Sequence, residues 1–274
     1  MNVIEAKDRL VNELSQCDKI KGIGQTGNIN ADLIAGNSDI DIFVLCATIP
    51  TEDERDRVYI KYSKQYSEYL INVCHGGIWG YGDVLIIDGI DVMFMYFTIE
   101  EMNQYVEAVL NGKHLGKEGG FYPTGRLSSI ESINILYENN TEWTTLIEKV
   151  KKHPLELLEK LFDYHISKVI NDEDLGRVIL RKEVLFYHSV LENSLDHLMQ
   201  ALFAMNFTYF PSRKRSEQYI REFKNVPDDC YDRILQIIAH SVLNKTMEKS
   251  VRELRKITLE TVQIGKKIYK KDYN

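Results

Sequence analysis

Val3, Leu10, Val11 and Leu14 recur at helical spacing, so residues 2–16 read as an amphipathic helix. Residues 20–23 form a short apolar strand that runs into a loop at Gly27. Residues 39–46 form a second strand, with Ile40, Ile42 and Val44 on one face. Pro50 and Thr51 open a helix expected to reach about Ile71, with Thr51 and Glu54 spaced as a capping box. Residues 84–87 and 90–97 are strands joined by Asp88-Gly89, a dipeptide suited to a type I′ turn. Residues 99–110 are again helical, and a run rich in glycine follows. Helical spacing then covers 128–151, 154–170, 174–206, 214–224, 229–243 and 245–270, with Pro154, Pro211 and Pro227 at breaks. The order predicts an α+β fold. An N-terminal domain (1–112) carries a small mixed β-sheet flanked by helices, 113–127 connects, and 128–274 forms a helical bundle domain.

Composition narrows the class without choosing a function. The 274 residues are 44% hydrophobic and 27% charged, ordinary globular values with material for two cores. Net charge is −7 and no Lys/Arg stripe stands out, which argues against nucleic acid as a partner and favours a small substrate. Cys17, Cys46, Cys74 and Cys230 are scattered, as expected of reduced thiols rather than of disulfides or a zinc site. Acids stand near the N-terminus where a signal peptide would be apolar. No apolar run approaches the roughly 18–20 residues that span a bilayer, so the expectation is a cytoplasmic protein without a membrane partner.

Candidate chemistry concentrates between Gly27 and Val44. Asp39 and Asp41, spaced i and i+2 on a strand, project from one face with Cα atoms roughly 6–7 Å apart. Like charges side by side on a half-buried strand repel. Mg²⁺, which takes hard oxygen ligands while holding substrate phosphates, is the simplest reason to keep them together. Asp91, on a later strand of the same sheet, can complete the set. Gly27 lets backbone approach a phosphate closely.

These residues resemble the polymerase-β-like nucleotidyltransferase superfamily. Its signature is Gly-Ser, a spacer, Asp-x-Asp among apolar neighbours, and a third acid on a later strand. Here Gly27-Asn28 stands at Gly-Ser, Asp39-Ile40-Asp41 is the pair, and Asp91 in Gly-Ile-Asp-Val-Met-Phe is the third acid. The match covers about residues 20–97 and is closest in type to small-molecule members, such as aminoglycoside and lincosamide adenylyltransferases. In those proteins this domain is paired with a helical one.

The resemblance implies a nucleotidyltransferase domain and an Mg²⁺-dependent enzyme. It would move a nucleoside monophosphate, foremost AMP from ATP, onto a hydroxyl of a small molecule such as an aminoglycoside-type antibiotic, releasing pyrophosphate. It implies Asp39, Asp41 and Asp91 as metal ligands and catalytic acids, and Gly27, Asn28 and Ser38 beside the nucleotide. Glu183, on the helical part, becomes the candidate general base. Asn28 departs from the family's serine, although an amide also donates to phosphate. The alternative is a catalytically inactive nucleotide-binding or regulatory relative acting on a protein partner.

Two further segments carry ligand-type chemistry. Arg126 can pair with phosphate. Residues 206–214 place Tyr209 and Phe210, able to stack on a base, next to Lys214, able to neutralise phosphate. A helix terminus packed by its own aromatics accounts for the same residues without a ligand.

Overall fold

The computed structural model describes residues 2–27, 29, 30 and 32–271. The chain forms two compact units, one of residues 1–107 and 129–152, the other of 108–128 and 153–274.

The first unit is built on a six-stranded mixed sheet. Helix α1 (Val3–Leu14) opens with a reciprocal cap in which Asn2 Oδ1 accepts from Glu5 N at 2.9 Å. It buries Val3, Ala6, Leu10, Val11 and Leu14 against the sheet core. Strands β1 (Ile20–Gln25) and β2 (Asp39–Cys46) follow, then α2 (Glu52–Tyr59) with the expected Thr51–Glu54 capping box. Strands β3 (Glu68–His75), β4 (Tyr81–Ile87) and β5 (Ile90–Thr98) lead into α3 (Ile99–Leu110). The chain leaves this unit in α3 and re-enters through α4 (Pro123–Glu131), β6 (Asn134–Glu138) and α5 (Glu142–Val150). Strand order is β3-β4-β5-β2-β1-β6, with β2 and β5 parallel and every other pair antiparallel.

Three expectations are corrected here. The helix from Thr51 ends near Tyr59, because residues 68–75 pair with β4 as a strand. The helix expected over 128–151 is interrupted by β6, which pairs with β1 and draws 129–152 into the first unit. The chain thus crosses between the units after Ser128 and again after Lys152. Strand β1 accepts this return because it is glycine-rich. A Cβ on Gly22 would lie 2.7 Å from Trp143 Cδ1, and one on Gly24 would lie 2.5 Å from Ile133 Cδ1. Trp143, fully buried, can thus lie on the strand backbone and stack 6.5 Å from Phe43. The third correction is the long helix expected over 174–206, which breaks at Lys182, a residue in the left-handed region (φ 56°).

The second unit is helical: α6 (Leu155–Val169), α7 (Asp172–Arg181), α8 (Val184–Met205), α9 (Ser216–Glu222), α10 (Cys230–Ser241) and α11 (Met247–Tyr269). Helices α6 and α8 form its core, and Phe162 of α6 presses on α11 where Gly265 leaves room. A Cβ on Gly265 would come within 2.3 Å of the Phe162 ring. The α+β class expected from the sequence is the one observed. No helix among the described residues is long and apolar enough to cross a membrane.

Candidate active site

Strands β2 and β5 run parallel, so both begin at the same end of the sheet, and Asp39 stands directly opposite Asp91. Neighbouring strands lie about 4.8 Å apart. Asp41 follows two residues along β2, opposite Met93, and so projects from the same face as Asp39 and Asp91. The opposite face of these strands carries Ile40, Ile42, Val92 and Phe94, all in the buried core. Asp39 and Asp91 are exposed and Asp41 is half-buried.

The surrounding turns fix this end. The Asp88-Gly89 turn has positive φ at both residues (53° and 74°), as type I′ requires. Gly89 O accepts from Gly36 N at 2.7 Å, tying the β4–β5 turn to the loop before β2. Ser38 Oγ accepts from Ile34 N at 2.9 Å, so this serine closes the turn that launches the strand. Thr26 N donates to Asp41 O at 3.0 Å, which holds the exit of β1 beside the acids. Gly27 follows with φ 78°, and a Cβ there would meet nothing within 4 Å. The space beside Gly27 is open, and its backbone conformation favours glycine. Asn28 lies outside the described residues.

The structure therefore brings Gly27, Ser38, Asp39, Asp41 and Asp91 to one end of the sheet. Among the described residues, no group of three or more His, Cys, Asp or Glu side chains is close enough to hold a metal ion. The aspartates share a face without forming a preassembled cage. Two carboxylates and a ligand's own phosphate oxygens are a set that suits Mg²⁺.

The remaining candidates lie in the second unit. Glu183 is not inside a helix: it occupies the N-cap position of α8, exposed, with no capping hydrogen bond from its side chain. Lys214 is exposed in the turn before α9. Its neighbours correct the stacking expectation. Tyr209 and Phe210 are only 1% and 3% exposed. Tyr209 stacks on His153 at 4.5 Å, and Phe210 sits edge-on to Tyr122 and Phe203, each at 4.9 Å. They form core, not a platform for a base. Arg126 is buried too, with its guanidinium 5.3 Å from the Phe121 ring centroid.

Sequence reasoning missed a buried charge on the other face of the sheet. Asp83 Oδ1 accepts from Arg55 Nη1 at 2.6 Å and from Asn72 N at 3.0 Å, and Oδ2 accepts from the Tyr59 hydroxyl at 2.9 Å. Burial pushes the Asp83 carboxyl up, opposed by the Asn72 amide and the Arg55 guanidinium. Tyr59 and Tyr96, 2.6 Å apart through their hydroxyls, are pushed well up by burial. The network joins α2 to β4 and β5 and so braces the strand that carries Asp91. A polar residue at the strand position before an apolar run was its only trace in the sequence.

The comparisons bear on the fold. A crystal structure of a nucleotidyltransferase-like protein from Exiguobacterium sibiricum 255-15 is similar over 98% of this chain and 80% of that one, with a TM-score of 0.51 and 13% identity. The family described as domain of unknown function (DUF4037) matches residues 121–215, which leaves the aspartates outside the match. No curated protein matches this chain. At that identity the likeness is one of architecture: this chain shares the fold of a nucleotidyltransferase-like protein.

Proposed function

We propose that this protein is an Mg²⁺-dependent nucleotidyltransferase that moves a nucleoside monophosphate, AMP from ATP in the leading case, onto a hydroxyl of a small molecule. An aminoglycoside-type antibiotic is one such acceptor, and pyrophosphate is the leaving group. The observation that carries this reading is the in-register pairing of Asp39 with Asp91, with Asp41 on the same face, at the sheet end where Gly27 opens into free space. Like charges on neighbouring strand positions lower stability unless a cation joins them.

Asp39 and Asp41 would hold the ion from the strand side, and Asp91 would complete the acidic face. The ion would supply charge neutralisation for the polyphosphate and polarisation of the phosphorus under attack. The backbone at Gly27 would cradle phosphate while Ser38 keeps the turn in shape. Glu183 has a carboxylate uncommitted to capping and is the candidate proton acceptor for the incoming hydroxyl. Lys214, exposed, is the candidate partner for a phosphate.

Titration of ATP with and without Mg²⁺ by calorimetry tests the site. Binding is expected to need the metal and to vanish in the Asp39→Asn/Asp41→Asn protein. Undiminished binding in that variant overturns the assignment. Asn28, standing where the resembled family carries serine, favours one second reading, a relative that binds nucleotide without turning it over. Pyrophosphate release on adding a panel of hydroxylated antibiotics separates the two.

A further inference from the structure

The second unit holds a polar cavity of about 410 Å³ between α6 and α8, near residues 115–117 and Arg213. Its hydrogen-bonding character is set from below by a pair of histidines. His165 is fully buried, and its Nε2 lies 2.9 Å from the carbonyl of Leu115. A carbonyl only accepts, so Nε2 carries the hydrogen. Burial pulls the His165 pKa down to about 3, helped by the neighbouring His197, so the ring is neutral and Nδ1 keeps its lone pair. His197 Nδ1 lies 2.8 Å from that lone pair and must donate to it. Burial likewise lowers the His197 pKa and favours its neutral form. Its Nε2 is then an acceptor, and His197 lines the cavity. Among the described residues no donor engages that nitrogen.

The charges nearest the cavity satisfy one another. Asp196 accepts from the Tyr122 hydroxyl, from Arg213 Nε at 2.7 Å and from Gln200 Nε2 at 3.0 Å. Arg213 Nη1 reaches Glu192 at 3.1 Å. Lys117, Tyr164, Ser189 and Asn193 also line the cavity, and their side chains have no hydrogen-bond or ion-pair partner among the described residues. Gly116 makes room for one of them, since a Cβ there would lie 2.6 Å from the Tyr164 hydroxyl. The groups left to a ligand are two hydroxyls, one amide, one imidazole lone pair and the Lys117 ammonium, which sits 5.1 Å from the Tyr122 ring centroid.

We propose that this cavity binds a small hydroxylated anion, whose hydroxyl donates to His197 Nε2 while Lys117 holds its anionic group. The chemistry is that of a hydroxycarboxylate or of a polyol phosphate. The site lies wholly within the second unit and does not rest on the nucleotidyltransferase reading, so failure of one leaves the other standing.

Histidine-labelled full-length protein, followed by ¹H–¹⁵N NMR, tests it. The free protein should show His197 protonated at Nδ1 and bare at Nε2. Malate or glycerol 3-phosphate should shift His197 Nε2 saturably, and whichever acts distinguishes the carboxylate from the phosphate source. Succinate, which lacks the hydroxyl, should bind about tenfold more weakly than malate where malate binds, as loss of one buried hydrogen bond predicts. Lys117→Met should weaken binding by a similar factor while retaining the His197 tautomer. A proton on Nε2 of His197, or no saturable shift with either anion, overturns the proposal. Both readouts come from the unsubstituted protein, so a variant that fails to fold does not blunt the test.

Discussion

The two faces of one sheet treat carboxylates in opposite ways. On the face packed against α1 and α2 Asp83 is fully buried, and Arg55, Asn72 and Tyr59 between them satisfy both its oxygens. On the other face Asp39 and Asp91 lie side by side, exposed, with Asp41 two residues on. The buried acid costs desolvation and is repaid by partners that tie α2 to the sheet. The exposed acids repel each other across the ladder and add nothing evident to the fold. A charge whose partners are all supplied by the protein is structural. Like charges held side by side and exposed at a strand end point to something outside the chain.

That contrast can be broken experimentally. The largest effect should be on turnover: Asp39→Asn/Asp41→Asn is expected to cut pyrophosphate release by on the order of 10³-fold. Its melting temperature should hold or rise. A fall in stability without a specific loss of activity would make these acids structural. Asp83→Ala should do the reverse, costing about 3–5 kcal/mol in urea unfolding because it strands the Arg55 guanidinium in the core. A cost below about 1 kcal/mol would remove the distinction between the faces.

His165 sharpens the comparison from the second unit, since it is a buried group kept neutral rather than paired with an opposite charge. Its folded pKa of about 3 lies below the ordinary 6.5, so its contribution is fully present above pH 6.5 and is lost as pH falls towards 3. Within that window it should steepen the pH dependence of unfolding by about 1.4 kcal/mol per pH unit. Burial sets this first, His197 and Lys168 add to it, and the Leu115 carbonyl and Asp196 oppose it. The difference between the parent and His165→Phe, measured in urea at pH 4, 5 and 6, isolates it, and equal slopes would refute it. The smallest effect is at the acid edge itself. Asp91→Asn should raise stability by about 0.2–1 kcal/mol by relieving its cross-strand repulsion with Asp39. A loss of that size would mean the carboxylate has a stabilising partner in the fold.

The elements differ in how readily they could be read from the chain. The capping box at Thr51, the Asp88-Gly89 turn and the alternation of Asp39 to Val44 were legible because each depends on residues a few positions apart. Strands β3 and β6 were not, since residues 68–75 and 134–138 become strands by pairing with partners elsewhere in the sheet. Tyr209 and Phe210 were ambiguous for the same reason: aromatics look alike in sequence whether they face a ligand or a core.

Local pattern thus determined the α+β class, the starts of α1, α2 and α3, the tight turn and the alternation that puts Asp39 and Asp41 on one face. Tertiary structure alone decided that Asp91 stands opposite Asp39, that 129–152 returns to the first unit, and that His165 and His197 meet across 32 residues of chain. Periodicity and caps act over one or two turns of backbone, whereas strand register and ring-to-ring contacts are settled only when distant segments exclude water together.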